Sequence, residues 1–99
     1  MKRKIFNQYV SHVTELFRMD EEDLFKKSKK RERVDARHML YYLCATRPMR
    51  IRYIEEFMKE KGYIITHSTI IHGIKCMEEK MDTDKDYTTI IKKIELCVD

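Results

Sequence analysis

Apolar residues recur every three or four positions along most of this 99-residue chain, and residues that interrupt helices are rare. The chain contains only two glycines and one proline, Gly62, Gly73 and Pro48. Because an α-helix turns once in about 3.6 residues, this spacing places the apolar side chains on one face of each helix. A β-sandwich or barrel needs a turn about every 8–12 residues, which so few breakers do not supply. The pattern predicts one all-α domain of about six helices over residues 1–99.

Capping residues and breaks in the apolar stripes set the predicted helix boundaries. The first predicted helix covers about residues 4–18, and a short second helix is opened by Asp20. The third helix resumes at Asp35 and is stopped at Thr46-Arg47-Pro48, and the fourth follows Pro48 and ends at Lys61-Gly62. The fifth helix is capped by Thr66, and the sixth follows a break at residues 82–84. Residues 26–33, which we call the basic segment, have no apolar period and are predicted to form a loop.

The charges of the chain are segregated. The whole sequence carries a net charge of +4 at pH 7, whereas residues 26–37 alone carry seven cations against two anions, 7 − 2 = +5. A compact basic stretch in an otherwise balanced chain is typical of a surface that binds a polyanion. A solvated charge run is the other interpretation, and the composition by itself favours neither.

Several function classes lack support in the sequence. No apolar run approaches the ~18 residues of a membrane-spanning helix, and no secretory signal follows the N-terminus. Cys44, Cys76 and Cys97 have no metal-ligand spacing, and we expect them to be buried thiols in a reducing compartment. No phosphate-binding loop, nucleophile–base pair or metal set is present. We therefore expect a non-enzymatic protein without a cofactor, located in the cytoplasm.

The fourth and fifth predicted helices, joined by a glycine-containing connector, have the outline of a helix-turn-helix. In that motif the second helix enters the DNA major groove with its N-terminal residues on base edges. The outward face of the fifth predicted helix carries short or flexible polar groups, which are His67, Ser68, Thr69, His72 and Lys75. Such groups at a helix N-terminus can reach bases or phosphates, although polar residues are also the default on any exposed helix face.

Two sequence motifs resemble the C-terminal DNA-binding domain, domain IV, of the bacterial replication initiator family DnaA. Residues 66–73, which read T-H-S-T-I-I-H-G, are similar to the family signature R-D-H-T-T-V-x-H-A. Residues 29–39 resemble the basic loop and the helix that follows it in that family. With the matching order of elements, the resemblance covers about residues 8–95. It implies a Trp-repressor-like or DnaA-like fold in which a basic loop precedes a helix-turn-helix.

The resemblance implies sequence-specific binding to double-stranded DNA by a stand-alone domain acting in replication control or transcriptional regulation. The helix-turn-helix would read the major groove, and Arg31 or Arg33 of the basic loop would enter the minor groove. The implied base-reading residues are His67, Ser68, Thr69, His72, Arg31 and Arg33, and the implied DNA-backbone contacts are Lys29, Lys30, Arg37, Thr66 and Lys75. Replication or transcription proteins are further expected partners, and the resemblance implies association with the nucleoid.

The sequence also departs from the family. Thr66 replaces the aspartate of the signature and Ile65 replaces the arginine, so we expect a target other than the usual DnaA box. The connector between the fourth and fifth helices is a few residues longer than the family's Gly-Gly turn. The sequence also lacks the ATPase domain that precedes the DNA-binding domain in the family, and this absence suggests a phage or mobile-element origin. The alternative function is a non-catalytic module that binds a replication or transcription component through residues 20–23 or the terminal helix.

Overall fold

A computed structural model describes residues 1–98, and within them the chain forms six helices and no strand. The helices are α1 (Lys2–Leu16), α2 (Glu21–Leu24), α3 (Arg31–Thr46), α4 (Ile51–Glu60), α5 (His67–Thr83) and α6 (Lys85–Cys97). The prediction of an all-α, six-helix domain is confirmed. No helix within this part of the chain is long and apolar enough to cross a membrane.

The centre of the molecule is the packing of α3 against α5, the most extensive contact between any two helices. Gly73 of α5 lies buried at this contact. A β-carbon built at Gly73 would lie 2.7 Å from Cδ2 of Tyr41 and 2.8 Å from Cδ2 of His38, both on α3. Because a real β-carbon does not tolerate these distances, glycine permits the close approach of the two helices. The residue therefore fixes the position of α5 relative to α3.

Several predicted helix boundaries are confirmed by their caps. The amide of Asp20 donates to the Asp23 carboxylate at 3.4 Å where α2 begins, and Asp84 accepts from an amide at the start of α6. The hydroxyl of Thr66 accepts from the backbone N–H of Thr69 and caps α5. Gly62 follows α4 with φ +86°, a left-handed conformation that favours glycine. These local signals are readable because each depends on residues close together in the chain.

The prediction that the basic segment is a loop throughout is wrong for its second half. Helix α3 begins at Arg31, four residues before the expected Asp35, so Arg31 and Arg33 are helical. Arginine and glutamate are good helix formers, and an apolar stripe is not needed for a first turn that faces solvent. The irregular part of the segment therefore ends at Lys30, which is the N-cap of α3.

The expectation that all three cysteines are buried also fails. Cys44 is buried, but Cys97 is exposed, since it lies at the end of α6 on the face that points away from the core.

His38 of α3 has an unsatisfied polar atom, since its Nδ1 is buried and has no hydrogen-bond partner in the structure of residues 1–98. Burial lowers the pKa of His38, because an imidazolium loses solvation there.

Candidate nucleic-acid interface

The N-terminal half of α5 presents a polar surface to solvent. Ser68, His72 and Lys75 are exposed and lie on one side of the helix, which we call the α5 surface together with Ile71 between them. Ile71 is 41% exposed, although it is a large aliphatic side chain. Ile71 was not among the site residues predicted from the sequence. The only sequence signal for its exposure was its position outside the apolar stripe that contains Ile70.

The basic segment is attached to the connector between α4 and α5. Nζ of Lys27 donates a hydrogen bond of 2.9 Å to the carbonyl oxygen of Ile64. The same ammonium group lies 5.1 Å from the ring centroid of Tyr63, within the range of a cation–π interaction. Lys27 therefore ties the segment to the residues that lead into α5.

A cleft of about 220 Å³ separates the basic segment from the start of α5. Ser28 and Lys29 lie on one side of it and Thr69 lies on the other, with Tyr63 and His38 among the remaining lining residues. The two stretches whose sequences resemble the DnaA motifs thus meet at one concave surface, although residues 30 and 66 are 36 positions apart in the chain.

Arg37 differs from its expected role as a contact to the DNA backbone. It is 4% exposed, and its guanidinium donates to the carbonyl oxygens of Leu24 at 3.0 Å, Lys26 at 3.2 Å and Ser28 at 2.6 Å. A side chain that is held in this way inside the protein does not reach a phosphate. Its charge instead organises the backbone of the segment that links α2 to α3.

The structure distinguishes the two minor-groove candidates. Arg33 is only partly exposed, and its Nη2 atom pairs with Oδ1 of Asp23 at 3.2 Å. Arg31 is exposed at the first residue of α3, next to the exposed Lys29 and Lys30. Within residues 1–98, no ion pair is made by Lys29, Lys30 or Arg31. Arg31, rather than Arg33, is therefore placed to reach outward.

His67 is exposed as expected, but it has a partner that the sequence did not indicate. Its Nε2 atom lies 2.8 Å from Oε1 of Glu55, which is on α4. The two residues are twelve positions apart, and only the packing of α4 against α5 brings them together. An acidic side chain therefore lies beside the first base-reading candidate of α5.

His72 interacts with its own helix and with α3. Its Nε2 atom lies 3.4 Å from Sγ of Cys76, one turn further along α5. Its ring meets the ring of His38 edge-on, with 6.0 Å between the centroids. The exposed edge of His72 remains on the α5 surface, whereas the other side contributes to the contact between α3 and α5.

Comparison with known proteins finds no family model that matches the chain and no solved structure that matches it. The resemblance to DnaA therefore depends on the residues of the two motifs alone. What the structure adds is independent of any family, namely that residues 29 and 69 line one cleft.

Proposed function

We propose that the protein binds double-stranded DNA at specific sequences, in replication control or transcriptional regulation. In this proposal α4 and α5 act as a helix-turn-helix, the α5 surface and His67 lie in the major groove, and Arg31 enters the adjacent minor groove. The observation that carries the proposal is the cleft lined by Lys29 of the basic segment and by Thr69 of α5, which brings a cation of the segment beside the start of the polar helix.

The dimensions and composition of α5 suit this role. An α-helix with its side chains is about 10–12 Å wide, and the major groove of B-DNA is about 12 Å wide. Ser68 and His72 supply hydrogen-bonding groups, and the exposed Ile71 offers an apolar contact of the kind that recognises a thymine methyl group. The N-terminus of a helix also favours phosphate through its dipole and its unpaired N–H groups.

The positions of the cations support contact with the backbone on both sides of the groove. Lys29 lines the cleft, Lys30 and Arg31 follow it in the chain and are exposed, and Lys75 is exposed farther along α5. Each phosphate that a lysine neutralises releases counterions and steepens the fall of log K with log salt by about 0.9. Binding is therefore expected to be strongly salt-dependent.

Fluorescence anisotropy with labelled duplexes over about 50–200 mM salt tests the proposal. The duplexes are a random pool and sequences selected by the protein from that pool. The double variant Lys29→Ala with Lys30→Ala should reduce the salt slope by about 1.8, which is 0.9 for each lost phosphate contact. The control, Lys92→Ala with Lys93→Ala, removes the same charge from two exposed lysines of α6 and should leave the slope nearly unchanged.

Two results would contradict the proposal. Equal losses from the two double variants would mean that net charge, and not the cleft, determines binding. The absence of duplex binding by the wild-type protein at about 50 mM salt would remove the DNA-binding function, because non-specific electrostatic binding is strong at that salt concentration. That second outcome would favour the protein-interaction module.

A further inference from the structure

The contact between Glu55 and His67 constrains the imidazole ring. A carboxylate only accepts hydrogen bonds, so the 2.8 Å contact between its oxygen and Nε2 requires a proton on that nitrogen. In a neutral imidazole one nitrogen is a donor and the other is an acceptor. In the neutral ring, the proton on Nε2 leaves the Nδ1 atom of His67 as the acceptor.

The acceptor nitrogen does not contact Glu55. The two ring nitrogens point in different directions, so a ring whose Nε2 faces Glu55 does not direct Nδ1 at the same carboxylate. No protein group within residues 1–98 hydrogen-bonds that atom. The side chain of His67 is 57% exposed, so a ligand has access to it.

We propose that Glu55 is a positioning residue that fixes His67 as a hydrogen-bond acceptor, so that the protein selects a base with an exposed amino group. This inference rests on the proposed function. In the major groove adenine presents its N6 amino group and cytosine its N4 amino group, whereas guanine and the thymine oxygen present acceptors at the corresponding edges. The base class facing His67 is therefore adenine or cytosine.

Thr66, the residue before His67, does not itself present a free carboxylate acceptor at this end of α5. A carboxylate at the start of the recognition helix is an acceptor for amino groups, and Thr66 uses its hydroxyl to accept the N–H of Thr69 in the cap. The ring nitrogen of His67, one residue later, supplies an acceptor at the beginning of α5.

The test is the selection of duplexes from a random library at about pH 8, where a free imidazole is neutral. The wild-type protein should enrich adenine or cytosine at one position, and His67→Ala should lower that discrimination about tenfold. Glu55→Ala should lower it about threefold, because the ring then samples both tautomers and more orientations. Glu55→Gln should retain most of it, since the amide oxygen also accepts the Nε2 proton.

Glu56→Gln is the matched control, because it removes one negative charge from the neighbouring exposed position of α4. It should change overall affinity through charge while leaving the base preference intact. Nitrogen-15 NMR of the imidazole in the free protein gives a second readout. A proton on Nε2 in the wild type, and a mixture of tautomers in Glu55→Ala, is the expected result.

The possible failures are distinguishable. Selection of guanine or thymine at the position that depends on His67, an unchanged preference in Glu55→Ala, or a proton on Nδ1 alone in the free protein overturns this inference while DNA binding stands. Absence of duplex binding by the wild-type protein overturns the proposed function and, with it, the role of Glu55 in selecting a base.

Discussion

The guanidinium of Arg37 lies 4.9 Å from the ring centroid of Tyr63. Arg37 is on α3 and Tyr63 is in the connector between α4 and α5. The ammonium group of Lys27 lies 5.1 Å from the same ring centroid, so one tyrosine receives cations from the basic segment and from α3. This arrangement joins the basic segment, α3 and the connector that leads into α5.

Replacement of Arg37 by Met should destabilise the protein by about 3 kcal/mol. Methionine keeps much of the side-chain volume but leaves the carbonyl groups of Leu24, Lys26 and Ser28 without their donor. Urea denaturation measures the change in the free energy of unfolding. Arg31→Met, an exposed substitution on the same helix, should stay within about 0.5 kcal/mol of wild type. Similar effects of the two variants would refute the structural role of Arg37.

Replacement of Gly73 by Ala should destabilise the protein by about 1–2 kcal/mol. Overpacking against Tyr41 and His38 costs about 1–3 kcal/mol, and the better helix propensity of alanine offsets up to about 1 kcal/mol of it. The comparison is Gly62→Ala, where no atom is within 4 Å and the cost arises from φ +86°. Gly62→Asn should recover part of that cost, because asparagine tolerates the left-handed region. A stabilising effect of alanine at Gly73 would mean that α3 and α5 separate easily.

His38 should make the protein less stable as the pH falls. Burial lowers its pKa, which Arg37, Lys80 and His72 lower further and Asp35 raises. In the unfolded chain, His38 is protonated as the pH falls through the ordinary histidine pKa of about 6.5, whereas in the folded protein it is protonated only at a lower pH. The free energy of unfolding therefore decreases as the pH falls through this window, and the effect is absent above it.

The measurement for His38 is urea denaturation at about pH 7.5 and pH 5.5. The variant His38→Phe keeps a ring against Tyr41 but has no titrating group and no unpartnered Nδ1 atom. It should lose less stability than wild type between the two pH values. An equal loss in both proteins would assign the pH dependence to other groups.

Removal of the cap at Thr66 should cost about 1 kcal/mol of stability. Thr66→Ala leaves the N–H of Thr69 without its side-chain acceptor, whereas Thr66→Ser keeps the hydroxyl and should retain most of the stability. Thermal denaturation followed by circular dichroism compares the two variants. If Thr66→Ser is as unstable as Thr66→Ala, the methyl group and not the cap is what stabilises this end of α5.

Helix positions and caps were predictable because they depend on neighbours in the chain. The spacing of apolar residues indicated six helices, and the caps at Asp20 and Thr66 and the break at residues 82–84 identified three of their starts. The start of α3 was misplaced, since a solvated first turn such as that of Arg31 leaves no apolar period. Exposure of His67, Ser68 and Lys75 also followed from periodicity, because it reports which helix face is buried.

The sequence by itself determined the fold class, the local helix boundaries and the concentration of positive charge in residues 26–37. Only the tertiary structure decided which of those charges are exposed. Arg37 and Arg33 contact groups from other parts of the chain, whereas Arg31 does not, and residue type does not separate the three. The pair of Glu55 and His67 likewise depends on how α4 packs against α5. Such contacts join residues that are distant in the chain, and no local pattern encodes them.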